Sequence, residues 1–187
     1  WYDVDSINFR GYNKAVAMKL LDGLGIKDTD GDGVRNLPKT GSNIEIDLSY
    51  DNGEATDKKQ VDAVASMLGE VGIRIIPKPY DDLDAIMQSG NFNMVERRNH
   101  WVVPTRETCG FLPISTGCPL THPSSADGSR DLMSFEKEMV TAVNAIQQSW
   151  DAGEISSNAR KIQQLWTDNV YTVGLVQAPA ALLVNKR

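Results

Sequence analysis

The spacing of apolar residues along the chain predicts an alternation of helices and strands. Apolar positions recur every three or four residues in amphipathic helices and every second residue in half-buried strands. By this measure the predicted helices cover residues 12–24, 57–71, 81–90, 132–150 and 157–169. The predicted strands cover residues 44–50, 73–79 and 92–96, with one or two more at 171–184. Such alternation favours an α/β layer whose strands are mostly parallel and flanked by helices.

The helical patterns also predict which side chains form the core. Trp150 and Trp166 lie on the apolar stripes of the two later helices, and both are expected to be buried. Adjacent aspartates open the third helix, where negative charge is favourable at the positive end of the helix dipole. In the first helix the apolar positions at helical spacing are Ala15, Val16, Leu20 and Leu24.

Residues 97–131 form the longest stretch without periodicity, and they are rich in proline and glycine. A loop of this length inside a compact domain is usually functional or else flexible. Ligands of open parallel sheets tend to bind at the carboxyl ends of the strands. The segment that follows the third predicted strand is therefore the first place to expect a binding site.

Composition narrows the class of protein. The 187 residues are 41% hydrophobic and 24% charged, as in an ordinary soluble globular chain. The net charge of -6 argues against a nucleic-acid-binding domain, which usually carries a basic face. No apolar run approaches the ~18 residues that predict a membrane span. The chain starts at Trp1 without a signal-peptide pattern and stops inside a predicted strand, so we expect a piece of a longer protein.

The two cysteines, Cys109 and Cys118, are close in sequence and bracket a short loop. A disulfide between them would contribute about 2–3 kcal/mol in the loop-entropy model. Free thiols or half of a metal site are the alternatives, although no second cysteine pair or histidine cluster completes a zinc site. We favour the disulfide, and with it an extracytoplasmic location.

A short acidic stretch, "KDTDGDGVRNLPKTG", invites comparison with a calcium loop. Counting Asp28 as position one puts Asp30 and Asp32 at positions three and five of a helix-loop-helix calcium site. Position twelve, where a bidentate glutamate is needed, is Lys39. We therefore interpret the stretch as a turn, in which aspartate and glycine supply local hydrogen bonds, and keep the three aspartates as a weak calcium candidate.

The sequence offers no catalytic set. It has two histidines and lacks the Gly-x-Ser-x-Gly, His-Glu-x-x-His and phosphate-loop patterns. Asp81 and Asp82 would point about 100° apart on a helix and make a poor acid/base pair. We predict a protein that is not an enzyme and has no cofactor.

Three segments together resemble one known family. They are "YNKAVAMKLLDGLGIKDTDGDGVRNLPKTGSNIEIDLSYDNG", "VDAVASMLGEVGIRIIPKPYDDLDAIMQSGNFNM" and "ARKIQQLWTDNVYTVGLVQAPAALLVNKR". In content and order they look like the extracellular solute-binding proteins of family 5, which serve ABC importers of peptides, dipeptides and nickel. The resemblance covers nearly the whole chain, and it rests on the ordered set of segments rather than on any single motif.

This resemblance implies a periplasmic-binding-protein-like type II architecture. Family members have two lobes that close on a ligand, and residues 1–187 resemble only the lobe inserted between two parts of the other. The implied partners are a small-molecule or peptide solute, the missing N-terminal lobe and the membrane permease of an ABC importer. The implied location is periplasmic or extracellular, with membrane association only through the importer.

The resemblance also points to a ligand site after the third strand. Trp101 matches a tryptophan of the family's peptide binders, but Pro104 stands near the position where those proteins place an aspartate for the ligand's amino group. Arginine forks bind carboxylate or phosphate, which suggests an anionic solute such as a peptide carboxylate, a sugar acid or an opine. The alternatives are surface ion pairs for the arginines, a loop position for the histidine and a core position for the tryptophan. The candidate ligand-binding residues are Arg97, Arg98, His100, Trp101 and Arg106.

The functional prediction is thus the substrate-binding component of an ABC-type importer. An enzyme whose long loop is a lid, a calcium-dependent module and an interaction module of a larger extracytoplasmic protein remain as alternatives.

Overall fold

The predicted order of helices and strands is confirmed in the structure, a computed structural model that describes residues 5, 7, 11–97, 132–170 and 173–175. Most of the long loop and of the predicted strands at residues 171–184 lies outside the described residues. The helices are α1 (Lys14–Gly23), α2 (Ala55–Gly69), α3 (Leu83–Ser89), α4 (Ser134–Gln148) and α5 (Ala152–Asp168). The strands are β1 (Glu45–Asp51), β2 (Arg74–Tyr80) and β3 (Met94–Val95).

The three strands form a parallel sheet in the order β2-β1-β3. From β1 the chain crosses to β2 through α2, and then back over β1 to β3 through α3. Crossovers between parallel strands are right-handed, so the reversal of direction places α2 and α3 on opposite faces of the sheet. The prediction of a mostly parallel sheet flanked by helices is confirmed.

The third strand is shorter than the five residues that its pattern predicts. The amide of Asp47 in β1 donates to the side-chain Oδ1 of Asn93 at 3.3 Å. A side chain therefore takes the place of a backbone acceptor at the point where β3 would begin. Pairing with β1 is confined to Met94 and Val95, after which the amide of Glu96 still donates to the Ser49 carbonyl.

Among the described strands, β2 lies at an edge of the sheet, and it contains two prolines. The Arg74 amide donates to the Ile44 carbonyl, so alternate residues from Arg74 onward direct their backbone groups towards β1. Pro77 and Pro79 are among the intervening residues, whose backbone groups face away from β1. Because proline has no amide hydrogen, it fits an edge strand where none is needed.

The main core lies between α2 and one face of the sheet. Leu48 and Tyr50 of β1 and Ile75 of β2 pack with Val61, which has no exposed surface. Burying a side chain of this size contributes roughly 1.5–3 kcal/mol. The face on which α2 packs is therefore apolar, while the alternate positions of β1 carry Asp47 and Ser49.

Helices α4 and α5 pack on each other around a second cluster. Met139 and Val143 of α4 are buried against α5, and Trp166 packs on them, which confirms its predicted core position. The prediction for Trp150 is wrong, because this side chain is 100% exposed. Helix α4 ends at Gln148 and the next residue is extended, so Trp150 lies beyond the helix and off its apolar stripe.

Helix α1 forms as its spacing predicts, but the apolar positions that recur along it are mostly exposed. Val16, Leu20 and Leu24 are exposed, whereas Ala17 and Leu21 are half-buried. The contacts that hold α1 are polar: Lys14 pairs with Glu70 of the α2 cap at 3.0 Å, and Asp22 with Arg35 at 2.6 Å.

A buried arginine joins four parts of the fold at the amino edge of the sheet. Arg35 is 7% exposed, and its guanidinium donates to the Val71 carbonyl at 2.7 Å, the Asp22 carboxylate at 2.6 Å and the Ile26 carbonyl at 2.5 Å. Its backbone amide donates to the Gly72 carbonyl and its own carbonyl accepts from Ile44. We call this set the Arg35 clamp; it connects α1, the turn after it, the end of α2 and the start of β1.

The aspartates of the acidic stretch form a turn before β1. Their carboxylate oxygens lie within 4.8 Å of one another. Both oxygens of Asp28 accept backbone amides, from Gly31 at 2.7 Å and Gly33 at 3.0 Å. Asp30 accepts the amide of Asp32, whose own oxygens accept the Val34 amide and the Asn43 side chain. These are the local hydrogen bonds that the turn interpretation predicts.

Within the part of the chain that the structure describes, none of the helices has the length and apolar character needed to cross a membrane.

A glycine-to-alanine substitution at Gly72 tests the Arg35 clamp. Gly72 has φ +81°, and an added Cβ would lie 2.8 Å from Cγ of Arg35. We expect Gly72→Ala to lower the free energy of unfolding by about 1–3 kcal/mol, as judged by urea denaturation. The matched control is Gly41→Ala, which also has a positive φ of +70° but where an added Cβ meets nothing within 4 Å. Equal stability of the two variants would contradict the role of the clamp.

The acidic turn makes a prediction about pH. The backbone hydrogen bond from Gly31, with a further one from Gly33, holds the pKa of Asp28 below its usual 3.8. A lowered pKa in the folded state adds stability above pH 3.8 that is lost as the pH falls through the folded-state value. The stability advantage of the wild type over Asp28→Asn should therefore shrink in acid. Urea midpoints on both sides of that pH measure it, and an advantage that grows in acid would exclude this role.

The same turn predicts little response to calcium. Each of its carboxylates already accepts backbone amides, and the twelfth-position cation Lys39 disfavours a divalent ion. We expect melting temperatures in about 1 mM calcium and in excess chelator to agree within about 1 °C. A rise of several degrees with calcium, abolished by Asp30→Asn, would instead establish a metal site.

Candidate functional site

The carboxyl ends of the three parallel strands meet at one edge of the sheet. Strand β1 ends at Asp51, β2 at Tyr80 and β3 at Val95. The Asn52 amide donates to the Tyr80 carbonyl at 2.9 Å, and the Glu96 amide to the Ser49 carbonyl at 2.8 Å. We call residues 51–54, 80–84 and 96–97 the carboxyl edge. This edge is where a ligand of an open parallel sheet is expected.

The loops of the carboxyl edge are tied together by side chains. The side-chain amide of Asn52 donates to the Asp81 carboxylate at 3.0 Å, and this bond joins the turn after β1 to the start of α3. Asp82 caps α3 by accepting the Ala85 amide at 2.9 Å, as predicted from the paired aspartates. Asp51 accepts the Gly53 amide at 2.8 Å. The edge is thus held in place before any ligand arrives.

Among the predicted ligand-binding residues, Arg97 is the one that the structure describes. It follows β3 at the carboxyl edge, and its guanidinium lies 3.4 Å from the Asp84 carboxylate of α3 and 3.5 Å from the Met87 sulfur. Such an exposed pair is worth at most about 1 kcal/mol. The guanidinium therefore already has a partner on its own lobe.

Several predicted residues lie outside the described part of the chain. They are Arg98, His100, Trp101, Arg106, Cys109 and Cys118. Asp28, Asp30 and Asp32 are described, but they lie before β1, at the opposite edge of the sheet. The structure thus brings Arg97 alone of these residues to the carboxyl edge that it describes.

The carboxyl edge is acidic, a property that sequence reasoning missed. Arg97 is the one cation of residues 51–54, 80–84 and 96–97. The carboxylates of this edge with exposed or half-exposed side chains are Asp51, Glu54, Asp81, Asp82 and Asp84. A surface with this charge repels anions in the same way that a basic one attracts them. The signal was present in "DNGE" after β1 and in "DDLD" after β2.

A model of one protein family matches most of the chain. Its description is bacterial extracellular solute-binding proteins, family 5 middle, and it matches residues 1–118. The periplasmic alpha-galactoside-binding protein of Rhizobium meliloti (strain 1021) is similar to the whole chain, with 30% identity over 194 residues that make up 28% of that protein.

Solved structures share the fold. The periplasmic binding protein MelB of Agrobacterium fabrum C58, in complex with stachyose, superposes with a TM-score of 0.83 at 34% identity, over 93% of this chain and 27% of that one. A mannohexaose-bound oligopeptide-binding protein of Thermotoga maritima superposes with a TM-score of 0.71 at 20% identity, over 90% of this chain and 31% of that one. The second likeness concerns the fold alone.

These comparisons confirm the predicted fold class and the predicted family. The relatives are periplasmic binding proteins rather than enzymes. This chain spans little more than a quarter of the length of MelB and of the alpha-galactoside-binding protein. Since the family model matches more than half of its residues, the chain belongs to the bacterial extracellular solute-binding proteins of family 5.

Proposed function

We propose that this chain is one lobe of the solute-binding component of an ABC-type importer, and that its solute is an oligosaccharide of the α-galactoside class. The observation that carries the proposal is the 34% identity, across 93% of the chain, with a binding protein in complex with stachyose. The 30% identity with an alpha-galactoside-binding protein supports the same solute class.

The charge of the carboxyl edge favours a neutral solute over an anionic one. A sugar acid or an opine would approach five carboxylates with exposed or half-exposed side chains, and the described cation, Arg97, is already paired with Asp84. A neutral sugar avoids that repulsion, because its hydroxyl groups donate to carboxylate oxygens. A peptide would need a partner for its amino terminus, and the segment after Trp101 has Pro104 where an aspartate is expected.

Lobe closure is the mechanism that we propose for capture. Solute contacts with both lobes shift the equilibrium from an open to a closed form. In this mechanism the carboxyl edge, together with residues 97–131, faces the second lobe. Arg98, His100, Trp101 and Arg106 belong to this segment, and we assign Trp101 to stacking on the face of a sugar ring.

The remaining partners follow from the family. We propose that the full protein works in the periplasm, that the closed form docks on the importer's membrane permease, and that Cys109 and Cys118 form a disulfide there. Within the described residues no observation favours a calcium-dependent or interaction module over this function.

Isothermal titration calorimetry of the full-length protein that contains this chain tests the solute class. We expect stachyose to bind with a dissociation constant of about 1 μM or lower, and mannohexaose and a nonapeptide to bind at least about 100-fold more weakly. The isolated lobe should lose most of this affinity, because the contacts of the second lobe are absent. Tighter binding of the peptide than of stachyose would refute the proposal.

Tryptophan substitutions in the same protein test the ring contact. Trp101→Ala should weaken stachyose binding about tenfold or more, since aromatic contact is lost. Trp150→Ala is the matched control, because this side chain is fully exposed and lies after α4. If both variants bind stachyose as the wild type does, Trp101 has no role in recognition.

A further inference from the structure

A polar cavity lies on the face of the sheet opposite α2. Its volume is about 300 Å³, and its lining includes Asp47 and Ser49 of β1, Tyr80 of β2, and Asn91 and Asn93 of the loop before β3. Tyr80 is the last residue of β2, so the cavity reaches the carboxyl edge described above. Asn91 and Asn93 precede β3, so the cavity runs from the start of β3 to the last residue of β2.

One hydroxyl group of the cavity has no hydrogen-bond partner among the residues that the structure describes. Ser49 is 1% exposed and lines the cavity. No hydrogen bond to its hydroxyl group is formed by any residue that the structure describes. A buried polar group without a partner costs free energy that a bound hydroxyl group or water molecule would restore. The Ser49 hydroxyl group can therefore form a hydrogen bond with a hydroxyl group or water molecule that enters the cavity.

The neighbouring polar groups complete a set of donors and acceptors. Asn93 uses its Oδ1 to accept the Asp47 amide at 3.3 Å, and its Nδ2 makes no hydrogen bond within the described parts of the chain. The Asp47 carboxylate lies 3.8 Å from the Lys78 ammonium group, which balances its charge. The cavity therefore offers hydroxyl and amide donors together with a charge-balanced acceptor.

We propose that this cavity binds one sugar unit of the transported oligosaccharide, with Ser49 and Asn93 hydrogen-bonded to its hydroxyl groups. A volume of about 300 Å³ is at the small end of small-molecule sites, which suits one ring rather than a chain. Neutral hydroxyl groups match both the donors and the balanced carboxylate. The inference rests on the proposed function, since it assigns a place to one unit of that solute.

Two substitutions at Ser49 in the full-length protein test the proposal. Ser49→Ala removes only the unpartnered hydroxyl group, so the melting temperature should stay the same or rise, while stachyose affinity falls about three- to tenfold. Ser49→Val adds volume inside the cavity and should weaken binding more than Ser49→Ala does. Asn93→Ala should also reduce the affinity. Matched controls are Ser66→Ala on α2 and Asn144→Ala on α4, which are exposed and should bind as the wild type does.

Calorimetry of each variant with stachyose, mannohexaose and D-galactose separates this inference from the proposed function. If mannohexaose or galactose binds and Ser49→Val weakens it, while stachyose does not bind, the α-galactoside class is wrong and the sugar cavity stands. If stachyose binds the wild type and the Ser49 and Asn93 variants equally, the cavity holds only solvent and the inference is overturned. If none of the three saccharides binds the wild type, both proposals fall.

Discussion

Several elements of this fold are joined by hydrogen bonds to one buried guanidinium group. Arg35 carries a full charge out of water, and it does so because a carboxylate and two carbonyl oxygens accept its hydrogen bonds. A buried charge without such partners would cost several kcal/mol. The carbonyl partners come from the end of α2 and from the turn after α1, so these elements must be positioned before the arginine can be buried. The Arg35 clamp thus links α1 and the end of α2 to the start of β1, beside the apolar core on which α2 packs.

Polar side chains gather at both ends of the sheet. At the amino edge, the polar groups of the Arg35 clamp and of the acidic turn bond to other groups of the chain. The Asn36 side chain does the same, with bonds to Thr29, Gly41 and Asn43. At the carboxyl edge, several carboxylates have exposed side chains, and the hydroxyl group of Ser49 lacks a partner in the described structure. Polar groups at both ends form hydrogen bonds within the chain, and those at the carboxyl edge lie where a ligand of a parallel sheet is expected.

Local sequence patterns predict the helices and strands, but they do not predict the contacts between them. The helical spacing around Val61 and the paired aspartates before α3 were correctly interpreted, because both signals act within one or two helical turns. The spacing of apolar residues along α1 does not show which side of the helix is covered, and it does not show that Asp22 bonds to Arg35, 13 residues further along the chain. Trp150 was misassigned because its helix ends two residues earlier than the apolar pattern suggests. The location of the ligand site stays a prediction, which was made from the basic segment after β3 without the carboxylates that follow β1 and β2.

The two prolines of β2 affect how readily copies of this chain could associate through their sheets. A free sheet edge normally offers amide groups on which a strand of another molecule can grow, which is how many secreted proteins begin to aggregate. Pro77 and Pro79 remove two of those donors from the outward side of the strand. Among the described strands the sheet therefore ends at β2, a strand that offers fewer amide donors for edge-to-edge association between copies.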